Sequence, residues 1–404
     1  MDTGTMLKTL QDPMGIPFYP AVFQFLMVLT FTLHILFINL TIGASFLSVY
    51  GFLKSADYWK QISRTMIRTT TASISLAMVF GVAPLLFVQV LYDPLWYTSN
   101  MLSAAWAMGF VFIVILAYSF TYVAYLRNHT HSSRSFAVWG GSALVLFLLA
   151  GFIMHVLNYQ SLQPEKWINW YIRDGAVDTS GSSLHDFQIS RFLHFIVPAF
   201  IMTGMFLMLY AWYFKDREDK DKNYLQWAAK TGANLSFYAI MAQVVIGFWW
   251  LFNLPWEFEF YINPLLLTGT VLGIVLLFVL SYIRKNPVQY AIPAGIVAFL
   301  TIFGMSYARE TLRTRYVERF DYSIFKYKMN IDWGSTALFF LTFLIGVIVI
   351  SYFATLIFKA GRVSSTYNST PAMNSWWKLS IALLVLWIIT VVSLGIIITV
   401  RNYL

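Results

Sequence analysis

Ten stretches of twenty or more residues contain no Asp, Glu, Lys or Arg: roughly 20–53, 69–92, 101–126, 135–160, 192–214, 231–256, 260–283, 286–308, 333–358 and 379–400. About twenty apolar residues in a helix span about 30 Å of hydrocarbon, so each run can cross a bilayer. β-Barrel strands would be about ten residues long with alternating polarity, whereas these runs are apolar on every side. The sequence therefore predicts an all-α, polytopic transmembrane helical bundle of about ten spans. Charged residues make up only 11% of the 404 residues, against about 25% in an ordinary soluble domain, which excludes a soluble enzyme. The first run is longer than a signal-peptide core and has no basic segment just before it, so it is expected to stay in the mature protein.

The net charge of +9 is a membrane signal and implies no nucleic-acid partner, because its location follows the spans. With the N-terminus outside, the inside loops hold sixteen basic residues, from Lys54 to Lys378, against five acidic ones, Asp57, Asp216, Glu218, Asp219 and Asp221. Eleven basic and thirteen acidic residues are then left outside. Basic residues concentrate on the cytoplasmic side of membrane proteins and face anionic lipid there, so the expected orientation is N-out/C-out in a cell (inner) membrane of a bacterium or archaeon. Two outside segments exceed turns. Residues 159–190 are long enough for a short interfacial helix and a lid. Residues 309–332 carry Arg309, Glu310, Arg313, Arg315, Glu318, Arg319 and Asp321 at helical spacing. That run reads either as a solvated helix laced by i,i+3 and i,i+4 pairs or as a docking surface or a clamp for carboxylates, which arginine binds bidentately.

The chain has no cysteine, hence no disulfide, iron–sulfur cluster, covalently attached c-type haem or thiolate zinc site. Within the uncharged runs the only titrating bases are histidines: His34 in the first, His155 near the outer end of the fourth and His194 near the outer end of the fifth. Ionisable groups in the membrane are costly and mark function by default, although a neutral histidine can also simply bridge helices by a hydrogen bond. Three such histidines in an aromatic-rich, cysteine-free bundle point to non-covalent haem b, with imidazole on the iron. His185, outside, could cap the same site or be solvated. His129 and His131, in a short inside loop, read as ordinary surface residues.

The run from Gln24-Phe25 through Leu33-His34-Ile35-Leu36-Phe37 to Leu40-Thr41-Ile42-Gly43 resembles the first helix of cytochrome bd quinol oxidase subunit I. In that family the matching histidine ligates a haem of the oxygen-reducing pair. Arg191-Phe192-Leu193-His194, continuing through Gly204-Met205-Phe206 to Ala211-Trp212-Tyr213, resembles the fifth helix, whose histidine ligates the low-spin b haem. Ala83-Pro84 to Trp96 and Trp333-Gly334 to Lys359 echo the second and ninth helices. The resemblance covers roughly residues 20–360, so residues 1–360 are expected to form a haem-binding bundle, with 361–404 adding a further C-terminal helix. It implies haem b, one to three copies with two as the expected number, and His34 and His194 as iron ligands; His155 joins them as a candidate from its own place in an uncharged run, and His185, Arg191 and Arg309 are candidate further haem or propionate contacts.

The departures from the family shape the functional expectation. Where its membrane carboxylates would fall stand Leu85, Leu86, Ala104 to Gly109 and Ile302-Phe303-Gly304, and no methionine stands at Leu265 to Leu267, where the low-spin haem would find its second ligand. His155 is the expected substitute, paired with His194; His34 is the competing partner for His155. The long quinol-binding loop after the sixth span is reduced to Asn253 to Glu259, so quinone is placed near Trp256, Glu257 and Glu259, which alternatively form only an aromatic belt with solvated acids. Oxygen reduction needs protons delivered to a buried site, whereas electron transfer does not. The sequence thus points to a haem-b subunit, expected to be part of a quinol-linked oxidoreductase complex, that moves electrons between membrane quinol and a periplasmic c-type cytochrome or another electron-transfer subunit without reducing oxygen. The rivals are an oxygen reductase completed by partner-subunit groups, a haem-free transporter or channel, and a structural anchor that has lost its cofactors.

Overall fold

The computed structural model describes residues 2–54, 56–127, 133–173 and 175–403; His129 and His131 lie outside them. Its ten candidate membrane spans are Pro20–Leu53, Asp57–Leu91, Ala104–Arg127, Ser135–Gln160, Ile189–Phe214, Lys222–Phe252, Pro264–Ile283, Ala291–Glu318, Trp333–Ala360 and Pro371–Asn402, numbered 1 to 10 below. The helical bundle expected from the uncharged runs is the architecture found. Helix starts follow local chemistry. Span 6 is capped by Asp221, which accepts from the Asn223 N–H at 2.8 Å. Span 7 is capped by Asn263 followed by Pro264, and span 9 by Asp332. Each cap satisfies amides that the first helical turn leaves without partners.

Spans 1 to 4 and spans 5 to 8 form two groups of neighbours, and span 1 joins them by touching spans 4, 5 and 8 as well as span 2. Spans 5 and 6 cross where Gly204 meets Gly232, so closely that a methyl group on Gly204 would lie 2.3 Å from the Gly232 carbonyl oxygen. Small residues of this kind let helix backbones approach where the surrounding lipid gives no hydrophobic drive for association. Span 10 packs on span 9 through Tyr352 against Trp376 and Trp377, and Trp387 Nε1 donates to Thr342 Oγ1 at 2.8 Å.

Outside the spans, a helix at Asp93–Leu102 connects spans 2 and 3. Residues 161–188 carry a helix at Trp167–Tyr171 and a two-stranded hairpin pairing Ile172 with Val177. The chain then returns over the start of span 3, where Ser103 Oγ and Trp106 Nε1 donate to the carbonyls of Ser183 and Ser182, each at 2.7 Å. The short helix expected of that segment is Trp167–Tyr171.

The eighth span corrects the sequence reading. Its helix does not stop at the first charge but runs ten residues further, through Arg309, Glu310 and Arg313 to Glu318. Arg315 and Glu318 pair at 3.4 Å on the exposed side, as a solvated helix would. Glu310 and Arg313 are instead buried, at 2% and 7% exposure. The spans are therefore not free of carboxylates.

Candidate functional site

A proline organises the centre of the site. Span 5 consists of two helical segments, Ile189–Ile196 and Pro198–Phe214. Pro198 has no N–H to give to the carbonyl four residues earlier, which belongs to His194. Gln243 of span 6 replaces that donor: its Nε2 lies 2.9 Å from the His194 carbonyl oxygen and 2.9 Å from His194 Nδ1. One turn further along span 6 is Gly247, where a methyl group would sit 3.3 Å from the imidazole Cε1. The Trp250 ring packs at 4.9 Å from the imidazole. The backbone carbonyl and the ring of His194 are thus held from one neighbouring helix.

His194 lines a cavity of about 230 Å³ enclosed by spans 1, 5, 6, 7 and 8. Its walls include Phe31, Asn39, Phe195, Trp250, Met305 and Arg309, and the exposed Phe248 and Ile274 flank its lipid-facing side. Arg309 stacks on Phe31 at 4.3 Å, and its Nε is buried without a hydrogen-bond partner. Trp250 Nε1 and Gln243 Oε1 are likewise buried and unpartnered.

A cationic cluster adjoins the cavity's outer end. Arg191, 5% exposed, donates from one terminal nitrogen to Asn158 Oδ1 at 2.5 Å, while the other has no partner. Its guanidinium lies in the field of those of Arg309 and Arg313. Glu310 pairs with Arg313 at 3.1 Å and accepts from Tyr92 at 2.5 Å and from Gln24 at 3.4 Å. The buried guanidinium groups of Arg191 and Arg313 and the half-buried one of Arg309, set against one carboxylate, leave an excess of two positive charges.

Of the residues singled out in the sequence, the structure brings His194 and Arg309 to one cavity and places Arg191 beside it. The others lie elsewhere. His34 does not line the cavity; its Nδ1 donates to the Ala77 carbonyl at 2.8 Å and its ring lies against Gly81 of span 2. His155 is not brought to His194. Its Nε2 accepts the Gln188 N–H at 3.2 Å, and its ring is packed among Phe152, Tyr159 and Phe192. His185 Nε2 donates to the Leu102 carbonyl at 3.1 Å and its ring stacks on Trp170. Trp256, Glu257 and Glu259 are exposed on the turn between spans 6 and 7, whose Leu254 and Phe260 reach the cavity. Among the described residues no three His, Asp or Glu side chains cluster as a metal-ion site.

No family model and no curated protein matches the sequence. Among solved structures, the bd oxidase from Geobacillus thermodenitrificans superposes with a TM-score of 0.64 over 84% of this chain and 98% of that one, at 12% sequence identity. The chain has a bd-oxidase-like fold. At that identity the likeness establishes architecture, and the function of the bd-oxidase-like bundle rests on its own residues.

Proposed function

We propose that the chain is a membrane haem-b subunit that passes electrons between membrane quinol and a periplasmic c-type cytochrome or another partner subunit, without reducing oxygen. The observation that carries this reading is the His194 cavity together with the guanidinium excess beside it. The residues fit haem b. His194 offers an imidazole whose Nδ1 faces Gln243 and whose Nε2 would ligate iron in the tautomer that carries its proton on Nδ1. Arg191 and Arg309 have unfilled donors suited to carboxylates, and the two excess positive charges match two propionates. Phe31, Phe195 and Trp250 supply the apolar and aromatic walls of a porphyrin pocket. Bound there, haem b supplies a one-electron carrier.

His34 fits a second, separate ligation. A carbonyl can only accept, so the bond to Ala77 places the proton on Nδ1 and leaves Nε2 unprotonated. A ring N–H donated to a backbone carbonyl is the usual support of a metal-bound histidine. Quinol is placed at the turn bearing Trp256, Glu257 and Glu259, where an exposed carboxylate can take the proton released on oxidation.

The second reading, quinol-driven oxygen reduction, is favoured by one observation, the buried carboxylate of Glu310. Against it, Glu310 is tied to Arg313, Tyr92 and Gln24 near the outer end of span 8. The uncharged run preceding it on that span offers no acid between Glu310 and the inside, so span 8 itself supplies no carboxylate relay from that side.

The reading is tested by purifying wild type, His194→Ala and His34→Ala and measuring haem per chain by pyridine haemochrome, alongside a reduced-minus-oxidised spectrum. Loss of haem in each variant is expected; unchanged haem content in both sinks it.

A further inference from the structure

We infer that Gln243 is a positioning residue that selects the tautomer of His194 and thereby controls whether that imidazole can ligate iron, an inference that rests on His194 being a haem ligand.

The argument turns on what one atom can do. Gln243 Nε2 lies 2.9 Å from both His194 Nδ1 and the His194 carbonyl oxygen. An amide nitrogen donates two hydrogens and accepts none. Both contacts are satisfied only when Nδ1 accepts, and a neutral imidazole that accepts at Nδ1 carries its proton on Nε2. In this arrangement Nε2 has no lone pair to offer a metal. The contrast with His34 is direct, since its carbonyl partner enforces the opposite tautomer.

The same side chain holds the means of reversal. Gln243 Oε1 is buried and has no partner. Turning the amide by half a revolution about its Cγ–Cδ bond brings an acceptor to Nδ1, which then donates, and Nε2 is freed for iron. The His194 carbonyl loses its donor in that state, and Pro198 provides no backbone N–H to replace it. Ligation at His194 is therefore coupled to an amide turn and to an uncapped carbonyl. Nothing else on span 6 need move, because Gly247 keeps the ring's edge clear.

Glutamate at 243 separates this mechanism from mere packing. A protonated carboxyl has a hydroxyl oxygen that donates to the His194 carbonyl and accepts from Nδ1–H at once, and an ionised carboxylate also accepts from Nδ1–H. Either form leaves Nε2 unprotonated without an amide turn. Leucine has neither function.

The experiment compares wild type, Gln243→Glu, Gln243→Leu and His194→Ala, each purified in detergent and titrated with protoporphyrin IX iron, with haem affinity and midpoint potential as readouts. Removing the partner of a metal-bound histidine typically weakens binding 10- to 100-fold. Gln243→Leu is expected to show a loss of that order. Gln243→Glu is expected to bind at least as tightly as wild type and to show a lower midpoint potential, because a stronger acceptor at Nδ1 makes the imidazole a better electron donor. Wild-type affinity and potential in both Gln243 variants, with haem lost from His194→Ala, overturn the role of Gln243 and leave the haem site standing. Full haem retention in His194→Ala overturns the site itself. Should Gln243→Leu fail to fold for want of a carbonyl cap, the potential of Gln243→Glu decides alone.

Discussion

Tyr92 donates its hydroxyl to Glu310 at 2.5 Å, binding the outer end of span 2 to span 8 across 218 residues of chain. The carboxylate also pairs with Arg313, whose guanidinium stacks over the same Tyr92 ring at 4.8 Å. These groups are buried, so their worth lies in mutual satisfaction. Breaking a buried ion pair from one side leaves an uncompensated charge and costs about 3–5 kcal/mol, whereas apolar replacement of both partners is often neutral. Glu310→Leu is accordingly expected to destabilise strongly, and Glu310→Leu/Arg313→Met to recover most of the loss. Thermal unfolding in detergent measures both, and a double variant no better than the single refutes the pairing.

Haem content separates the two histidine positions. His34 and His194 do not share a cavity, so each should hold its haem independently. His34→Ala and His194→Ala are each expected to lose about half of the haem of a two-haem protein, and the double variant nearly all, as counted by pyridine haemochrome. Complete loss in either single variant would show one shared site.

How much of this was legible in the sequence follows from the physics of each feature. Charge-free runs located all ten spans because hydrocarbon tolerates few exceptions. They misplaced the end of span 8 for the same reason: a helix does not end at a charge when Arg313 and Tyr92 can pair with Glu310 inside the protein. His194 stood out as an ionisable group in an apolar run. Gln243 did not, because a single uncharged amide in an apolar run carries no signal until Pro198, 45 positions earlier, is seen to strip the carbonyl it caps. The expected pairing of His155 with His194 assumed that neighbouring helices point their histidines at each other, and sequence order does not supply rotational setting.

The N-terminal helix, Thr3–Thr9, is tied to the outer segment by an acid-sensitive clamp. Lys8 reaches Asp321 at 2.8 Å and Lys326 binds the same carboxylate. The hydrogen bonds from Lys326 and Lys8 lower the Asp321 carboxyl to about 2. An acid depressed in the folded state contributes stability above its unfolded value of about 4 and loses it as pH falls towards its folded value. Between about pH 4 and 2 the helix is expected to become more accessible to an acid protease, and high salt should weaken the clamp because its groups are exposed. Pepsin cleavage near residue 10 that does not change across this range would contradict it.

Quinol-driven oxygen consumption by the isolated protein is expected to be negligible even when its haem is fully reducible. Glu310 is the buried acid of span 8, held at the outer end by three partners, and the run before it carries no acid towards the inside. An oxygen electrode checks this directly. Sustained turnover would establish the oxygen-reducing reading and make Glu310 the first residue to replace.

His155 is expected to leave the low-spin haem signal unchanged when replaced. Its Nε2 is committed to the Gln188 N–H, a backbone group in the segment leading into span 5, and its ring is packed by Phe152, Tyr159 and Phe192. Phe192 precedes His194 by two residues, which puts the two side chains about 200° apart around the helix, so contact with one disfavours contact with the other. Replacement should act on folding instead: His155→Leu strips the Gln188 amide of its acceptor, at a cost of about 1–3 kcal/mol for a buried unsatisfied group. Electron paramagnetic resonance on His155→Leu and His155→Met, read beside their thermal stability, divides the possibilities. An unaltered low-spin signal with lowered stability fits His155 as the acceptor of the Gln188 N–H, while loss of that signal in His155→Leu with normal stability would mean that His155 leaves Gln188 and ligates iron.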